Sequence, residues 1–263
     1  MAIGKKNFRW QWLWLALVCC ACSLAMVLPD HAALVQDIDH CLDLPSRIHW
    51  LGTDLLGRDL LLRLFFGAKV SLAVGLGSTV LAVAVGTAVG ATAGYFGGSF
   101  ERMAMRLMDV LYVLPLTLLA SLICLFLGRG IGTLCLAIAS VEWLTLARVV
   151  RTKTADLRRR TFVQSAIALG RSHGAVICCH IVPNAAPLIG RYALIILPNA
   201  ILLEAFLSFL GLGVPPPRSS WGNMIVEAIP YMHGHPLPLL FPALCLSTTL
   251  LAFTTLRGDG AVP

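Results

Sequence analysis

The sequence predicts an all-α polytopic membrane protein with six transmembrane helices. The chain has 263 residues, of which 58% are apolar and only 13% charged. Its mean hydropathy of +0.83 is that of a bilayer-embedded chain rather than an average soluble domain. Apolar runs recur at about the 20 residues that a helix needs to cross hydrocarbon. Basic residues gather in one connection instead of spreading over a surface: seven Lys/Arg lie between Ala147 and Asn184, with apolar runs on both sides. That placement marks a cytosolic loop, so the formal net charge of +7 serves topology and not nucleic-acid binding.

Residues 1–28 form the N-terminal segment and first transmembrane helix. Lys5, Lys6 and Arg9 precede the apolar run Trp12 to Leu28, the format of an uncleaved signal anchor. The small residues Ala21, Cys22 and Ser23 leave a cleaved signal peptide as the lesser alternative, against which stand Trp12, Trp14 and the later spans. Residues 29–69 are expected to be external, with six Asp against four Lys/Arg. Trp50 and Leu51 suit the membrane surface, and Asp54 and Asp59 flank Gly57-Arg58 as a turn with local ion pairs.

The transmembrane core is expected over residues 70–257. Its spans are read as 70–94, 107–127, 131–150, 187–210 and 237–256. In the second span Gly86, Gly90 and Gly94 form two overlapping Gly-x-x-x-Gly units, after Gly75 and Gly77. Such spacing clears one helical face for a close crossing. Gly97 and Gly98 favour a turn before Glu101 to Arg106. Arg106 and Asp109, at i,i+3, are expected to neutralise each other at the entry of the third span, and Pro115 to bend it. Glu142, beside Trp143, and Glu204 fall within spans four and five. An ionised group facing lipid is costly, so each is expected either to pack on polar groups in the bundle or to line a permeation route.

After the fifth span, Gly211 and Gly213 precede Pro215, Pro216 and Pro217, which stiffen an external loop. Trp221, Tyr231, His233 and His235 are expected at the headgroup level or against a soluble delivery protein. With the N-terminus and C-terminus cytoplasmic, 14 of the 20 Lys/Arg fall in cytosolic segments, counting the boundary residues Arg148 and Arg191. The nine cysteines do not make a metal site by spacing. Cys19, Cys20, Cys22, Cys124, Cys135 and Cys245 sit in apolar stretches and suit core packing, Cys178 and Cys179 are adjacent, and Cys41 stands alone outside the spans.

Within the cytoplasmic loop 151–186, residues 162–173 read as a short, stiff helix. Phe162, Val163 and Ala166 offer an apolar contact, Gly170 permits close approach, and Pro183 is expected to limit continuation of the structure into Asn184. From Gln164 the rows run Gln-Ser-Ala-Ile-Ala-Leu-Gly170, then reach His180-Ile-Val-Pro183-Asn184. This resembles the coupling motif of ATP-binding-cassette importer permeases, a short helix beginning Glu-Ala-Ala, followed by Gly and His-x-x-Pro-Asn. Ala166, Gly170, His180, Pro183 and Asn184 fit, while Gln164 and Ser165 depart from the first two residues. Further blocks in the same order are Trp50-Leu-Gly-Thr-Asp54-Leu-Leu-Gly57-Arg-Asp59, Gly94-Tyr-Phe-Gly-Gly98, Arg106-Leu-Met-Asp109, Leu207-Ser-Phe-Leu-Gly-Leu-Gly213 and Pro215-Pro-Pro-Arg-Ser-Ser-Trp221-Gly222. Over residues 50 to 257 the chain is similar to the second permease subunit of peptide, oligopeptide and nickel importers.

That resemblance implies the type I importer permease fold, with a cytoplasmic coupling helix, in a bacterial inner membrane. It implies a second homologous permease subunit, two ATPase subunits and an external substrate-binding protein as partners. ATP and magnesium would belong to the ATPase subunits, with no cofactor on this chain; no Gly-x4-Gly-Lys-Ser/Thr phosphate loop occurs in it. Dipeptides or short oligopeptides are the first expected cargo, and nickel or a nickel chelate the alternative. The family pattern weakens at Ala252-Phe253-Thr-Thr-Leu-Arg257 and in the short tail 258–263. A gradient-driven transporter is the competing reading from another class, and the coupling motif argues against it. An enzyme is not expected: no His-Glu-x-x-His occurs, and the Gly-x-Ser-x-Gly match at Gly170 to Gly174 follows a helix rather than a strand.

Overall fold

A computed structural model describes residues 8–27 and 35–259. Lys5, Lys6, the Pro29 to His31 stretch and the end of the tail lie outside the described residues. The described chain is α-helical apart from the irregular segment 35–59, which holds one short 3-10 turn and one isolated bridge, Thr53 to Asp59, and the loops between helices. Its helices are α1 (Phe8–Val27), α2 (Leu60–Phe96), α3 (Gly98–Val113), α4 (Leu116–Leu127), α5 (Ile131–Arg158), α6 (Thr161–Ala168), α7 (His173–Val176), α8 (Val182–Phe209), α9 (Trp221–Ala228) and α10 (Leu237–Asp259).

Among the described residues, four stretches are long and apolar enough to cross a membrane: Leu60–Phe96, Ile131–Arg158, His173–Phe209 and Leu237–Leu256. The apolar part of α1, Gln11–Val27, is shorter. The expected continuous third span is instead two helices, α3 and α4, bent by 88° at Leu114-Pro115. Pro115 cannot donate to the preceding turn, which explains why the break falls there. The bent pair counts as one crossing only if its two halves act together.

The second helix begins ten residues before the expected boundary. Asp59 caps it, its carboxylate accepting from the Leu62 amide at 3.0 Å. Arg63 and Lys69 interrupt the apolar pattern without interrupting the helix. At 37 residues, α2 is about 55 Å long, more than hydrocarbon requires. It is the central element, packing against α5, α8, α1 and α9.

The glycine face of α2 meets α5 as the spacing predicts. A side chain at Gly86 would stand 2.9 Å from the Trp143 carbonyl, and one at Gly90 2.5 Å from the Ala147 carbonyl. Gly94 lies against Arg151 and Thr154 in the same register, so the two helices run parallel. Asp109 does not pair with Arg106 as expected. Its carboxylate takes the Arg148 guanidinium at 2.7 Å, and Arg148 also lies over the Tyr112 ring. Glu101 pairs with Arg151, so two charges one turn apart on α5 tie down α3.

The cysteine expectation holds in part: Cys124 and Cys135 are buried, whereas Cys19 and Cys20 are on the surface of α1. The α1 helix is fastened to α10 by Trp14, whose indole N–H donates to Thr249 at 3.1 Å. It packs through Val18 into a cluster with Leu64, Ala68, Ile201, Trp221 and Leu246.

Candidate functional site

A helix forms in the loop as α6, but it spans Thr161–Ala168 and not the expected 162–173, because the chain turns at Gly170 with φ +76°, and two of its three contact residues face inward. Val163 and Ala166 are buried in a core shared with Tyr95, Leu157, Val176, Ile177 and Ile181. They hold the helix to the bundle and are not offered to a partner, because a two-turn helix with so little length needs tertiary packing to persist. Phe162 is exposed, and Leu169, just past the helix end, is 85% exposed. Gly170 follows with φ +76° and nothing within 4 Å of where a side chain would sit. The outward face of this turn is therefore Phe162, Gln164, Leu169 and Gly170.

Gln164 has a local role: its amide donates to the Arg158 carbonyl at 2.7 Å, satisfying one of the free acceptors at the end of α5. An acidic residue at this position has no proton to donate when ionised and cannot make that bond. Pro183 does not end the structure. It stands in the first turn of α8, where its missing N–H costs little. A π-helical turn, Ile177–Ile181, joins α7 to α8 just before it. The Asn184 amide donates back to the His180 carbonyl at 2.6 Å, and His180 Nε2 is buried without a partner among the described residues. Thus His180, Pro183 and Asn184 build the root of α8 rather than the exposed loop.

The loop is also held by residues that the sequence did not single out. The Tyr95 hydroxyl, at the end of α2, is 2.8 Å from His173 Nδ1. The Arg158 guanidinium lies 5.5 Å from the Tyr95 ring centre, and Phe96 packs edge-on to both Tyr95 and His173. The Gly-Tyr-Phe-Gly-Gly block contained this signal only as a sequence pattern; its partners lie 63 and 78 residues away.

At the opposite end of α2 the polar groups are closed on themselves. Glu204 is fully buried, accepting from Ser208 at 2.8 Å and from Ser71 at 3.3 Å. The same Ser71 oxygen accepts the backbone N–H of Trp221 at 3.2 Å, so the carboxylate and the first residue of α9 share one hydroxyl. Ser220 caps α9 by accepting from the Asn223 amide at 3.2 Å. Glu142 is half-buried on α5, and among the described residues its carboxylate has no hydrogen-bond partner. The structure does not bring Glu142 and Glu204 into one site: Glu204 belongs to the α2, α8 and α9 junction.

Trp221 is not an interfacial residue. It is 2% exposed, and its indole N–H donates to the Leu64 carbonyl at 3.0 Å. His233 and His235 do remain exposed. The expected Asp54 turn forms and is larger than its sequence block. Asp54 takes Arg58 at 2.6 Å and Arg63 at 2.5 Å, and Arg63 reaches on to Ser219 at 3.1 Å and Glu227 at 2.8 Å. His49 joins Asp59 at 2.9 Å. An ionisable residue inside an apolar run, as Arg63 is, signals a partnered or functional group, and that signal was available in the sequence.

Residues 86–258 match the family model described as binding-protein-dependent transport system inner membrane component. The chain is similar to the oligopeptide transport system permease protein OppC of Haemophilus influenzae, at 40% identity over 212 residues, covering 81% of this chain and 68% of that protein. It is 38% identical over 217 residues to the dipeptide transport system permease protein DppC of Bacillus subtilis, covering 82% and 68% of the two chains. Against the glutathione transport system permease protein GsiD of Escherichia coli the identity is 38% over 234 residues, covering 89% and 77%.

Proposed function

The chain belongs to the family of binding-protein-dependent transport system inner membrane components, and on that premise we propose that it is a permease subunit of an ATP-driven importer for short peptides. The family consists of transport permeases, not enzymes. Three relatives carry oligopeptide, dipeptide and glutathione in their names, and all three cargoes share a peptide backbone.

The observation that carries the mechanism is the α6 turn: its buried side is packed into the bundle, while Phe162 and Leu169 stand exposed outside any apolar span. We read this turn as the coupling helix, with Phe162, Gln164, Leu169 and Gly170 seated on an ATPase subunit. Closure of two ATPases on ATP would draw the turn with it. Val163 and Ala166 make that movement a movement of α5 and α8 as well, since they share one core with those helices. A ligand that favours one arrangement of a bistable bundle shifts it between inward-facing and outward-facing states. The chain contributes the motion-bearing part; nucleotide chemistry lies on the partners.

The same reading sets α1, α2, the bent α3 and α4 pair, α5, α8 and α10 as six crossings, with both termini and the α6 turn in the cytosol. Residues 36–59 and the loop into α9 then face outward, towards a substrate-binding protein. A second homologous permease would complete the pathway.

Gly170→Trp tests the docking turn in the assembled transporter, reconstituted in lipid vesicles. Gly170 has φ +76° and an open side, so a bulky side chain strains the turn and covers its surface. Insertion is expected to hold, with a stability loss of only about 1–2 kcal/mol from the left-handed backbone, while uptake of tri-alanine per ATP hydrolysed falls. Unchanged uptake and unchanged ATPase coupling would remove the turn from the mechanism.

A further inference from the structure

The loop from Arg159 to Ser172 is joined by the chain itself to α5 and α7, but not to α2. Among the described residues, one side-chain hydrogen bond joins residues 161–176 to α2, that between Tyr95 and His173 at 2.8 Å. Tyr95 is 3% exposed and is pressed by Arg158 from α5 at 5.5 Å. It therefore touches both sides of the loop, where the chain leaves α5 and where it enters α7.

From Tyr95, α2 continues without a break to Leu60. Its far part holds α9 at three points. Ser71 accepts the Trp221 amide, the Leu64 carbonyl accepts the Trp221 indole, and Arg63 reaches Ser219 and Glu227. The 32 residues between Tyr95 and Arg63 span about 48 Å of helix, and the α2 contacts with α5 along Gly86, Gly90 and Gly94 leave little room for that rod to bend.

We propose that Tyr95 makes α2 follow the coupling loop, so that α2 acts as a rod between the ATPase-facing turn and the α9 junction at the other membrane face. This rests on the reading of the α6 turn as the docking site. Tyr95 and His173 are positioning residues in it: they contact no cargo, and they carry a displacement of the turn directly to α2, beside the route that runs through α5. A helix with discrete contacts at both ends is the kind of element through which two distant sites bias each other.

The complete transporter in lipid nanodiscs supplies the test, with native Cys41 as the far-end reporter. Cys41 is half-buried and its neighbour Leu42 donates its amide to the Asp54 carbonyl, so the shoulder around it depends on the Asp54 and Arg63 pairing. Its alkylation by a maleimide is followed by mass spectrometry, nucleotide-free and vanadate-trapped. The rate is expected to change on trapping, and the change to shrink about fivefold, the scale of one lost hydrogen bond, in Tyr95→Phe and in His173→Ala. His173→Asn, which keeps a polar nitrogen near the Nδ1 position, is expected to retain it. A native transporter whose Cys41 ignores the nucleotide, a Tyr95→Phe variant that keeps the full change, or His173→Asn failing as badly as His173→Ala would each overturn the rod. Failure of ATPase subunits to assemble with the chain would instead sink the docking-site reading, and a trapped complex that imports no tri-alanine would sink only the cargo.

Discussion

The two ends of α2 are built in opposite ways. At the Asp54 end the polar groups satisfy one another: Arg63 alone spans Asp54, Ser219 and Glu227, and Trp221 is sealed beneath them. At the Gly170 end one face of a short helix is packed and the other is left open, with Leu169 and Phe162 exposed. Buried charge that is fully paired tolerates little rearrangement, because removing one partner strands the other. An exposed apolar turn carries almost no stability of its own and is free to accept a surface. The contrast is that of an end held together from within and an end whose apolar face is left open.

Truncation at each end separates these cases most sharply. Trp221→Ala is expected to cost about 3–5 kcal/mol, the range for removing a buried aromatic side chain, and to remove the bond that the Leu64 carbonyl accepts in addition to its helical one. Leu169→Ala is expected to change stability by no more than about 0.5 kcal/mol, yet to weaken association with the ATPase subunits. Denaturant melts of the purified chain and co-purification of the complex read the two effects. A large stability loss at Leu169 would mean that the open turn is internally packed, and the comparison would fail.

The glycines give a finer version. Gly57 and Gly170 both have positive φ, at +68° and +76°. A side chain at Gly57 would run into the Asp37 carbonyl, whereas at Gly170 it meets nothing within 4 Å. Both Gly→Ala variants carry the backbone cost of about 1–2 kcal/mol. Gly57→Ala adds an overpacking cost of about 1–3 kcal/mol. Equal losses in a thermal melt would show that the Asp54 turn yields as easily as the Gly170 turn.

The smallest expected effect concerns His40, which is exposed at the Asp54 end. Its hydrogen bond to Asp43 at 2.8 Å, with help from Asp37, raises its pKa above the ordinary histidine value. A raised folded pKa means that the attraction is fully present below the unfolded pKa and is lost as pH rises through the folded one. His40→Asn should therefore flatten a slight decline in shoulder stability on the alkaline side of the histidine range, read by hydrogen exchange of residues 36–43. An unchanged profile would show that the pair contributes nothing measurable, as is common for exposed pairs.

Local pattern carried the reading a long way. The Gly86, Gly90 and Gly94 face, the Pro115 break and the Asp54 turn are each set by residues within a few positions of one another, where steric size and missing donors act directly. The α6 turn was legible for the same reason, but its orientation was not. Val163 and Ala166 look like a contact surface until the neighbouring helices are in place to bury them. Asp109 has a basic neighbour three residues away in Arg106, and took Arg148 from another helix instead.

The sequence by itself determined that the chain is apolar, helical and membrane-embedded, where its basic loop lies, and which family it resembles. Those properties are sums or short-range patterns along the chain. Tertiary structure alone decided that Trp221 is core, that Arg63 joins the shoulder to α9, and that Tyr95 meets His173. Each of these depends on the register of helices far apart in sequence, and that register is fixed by packing across the bundle, which no local spacing encodes.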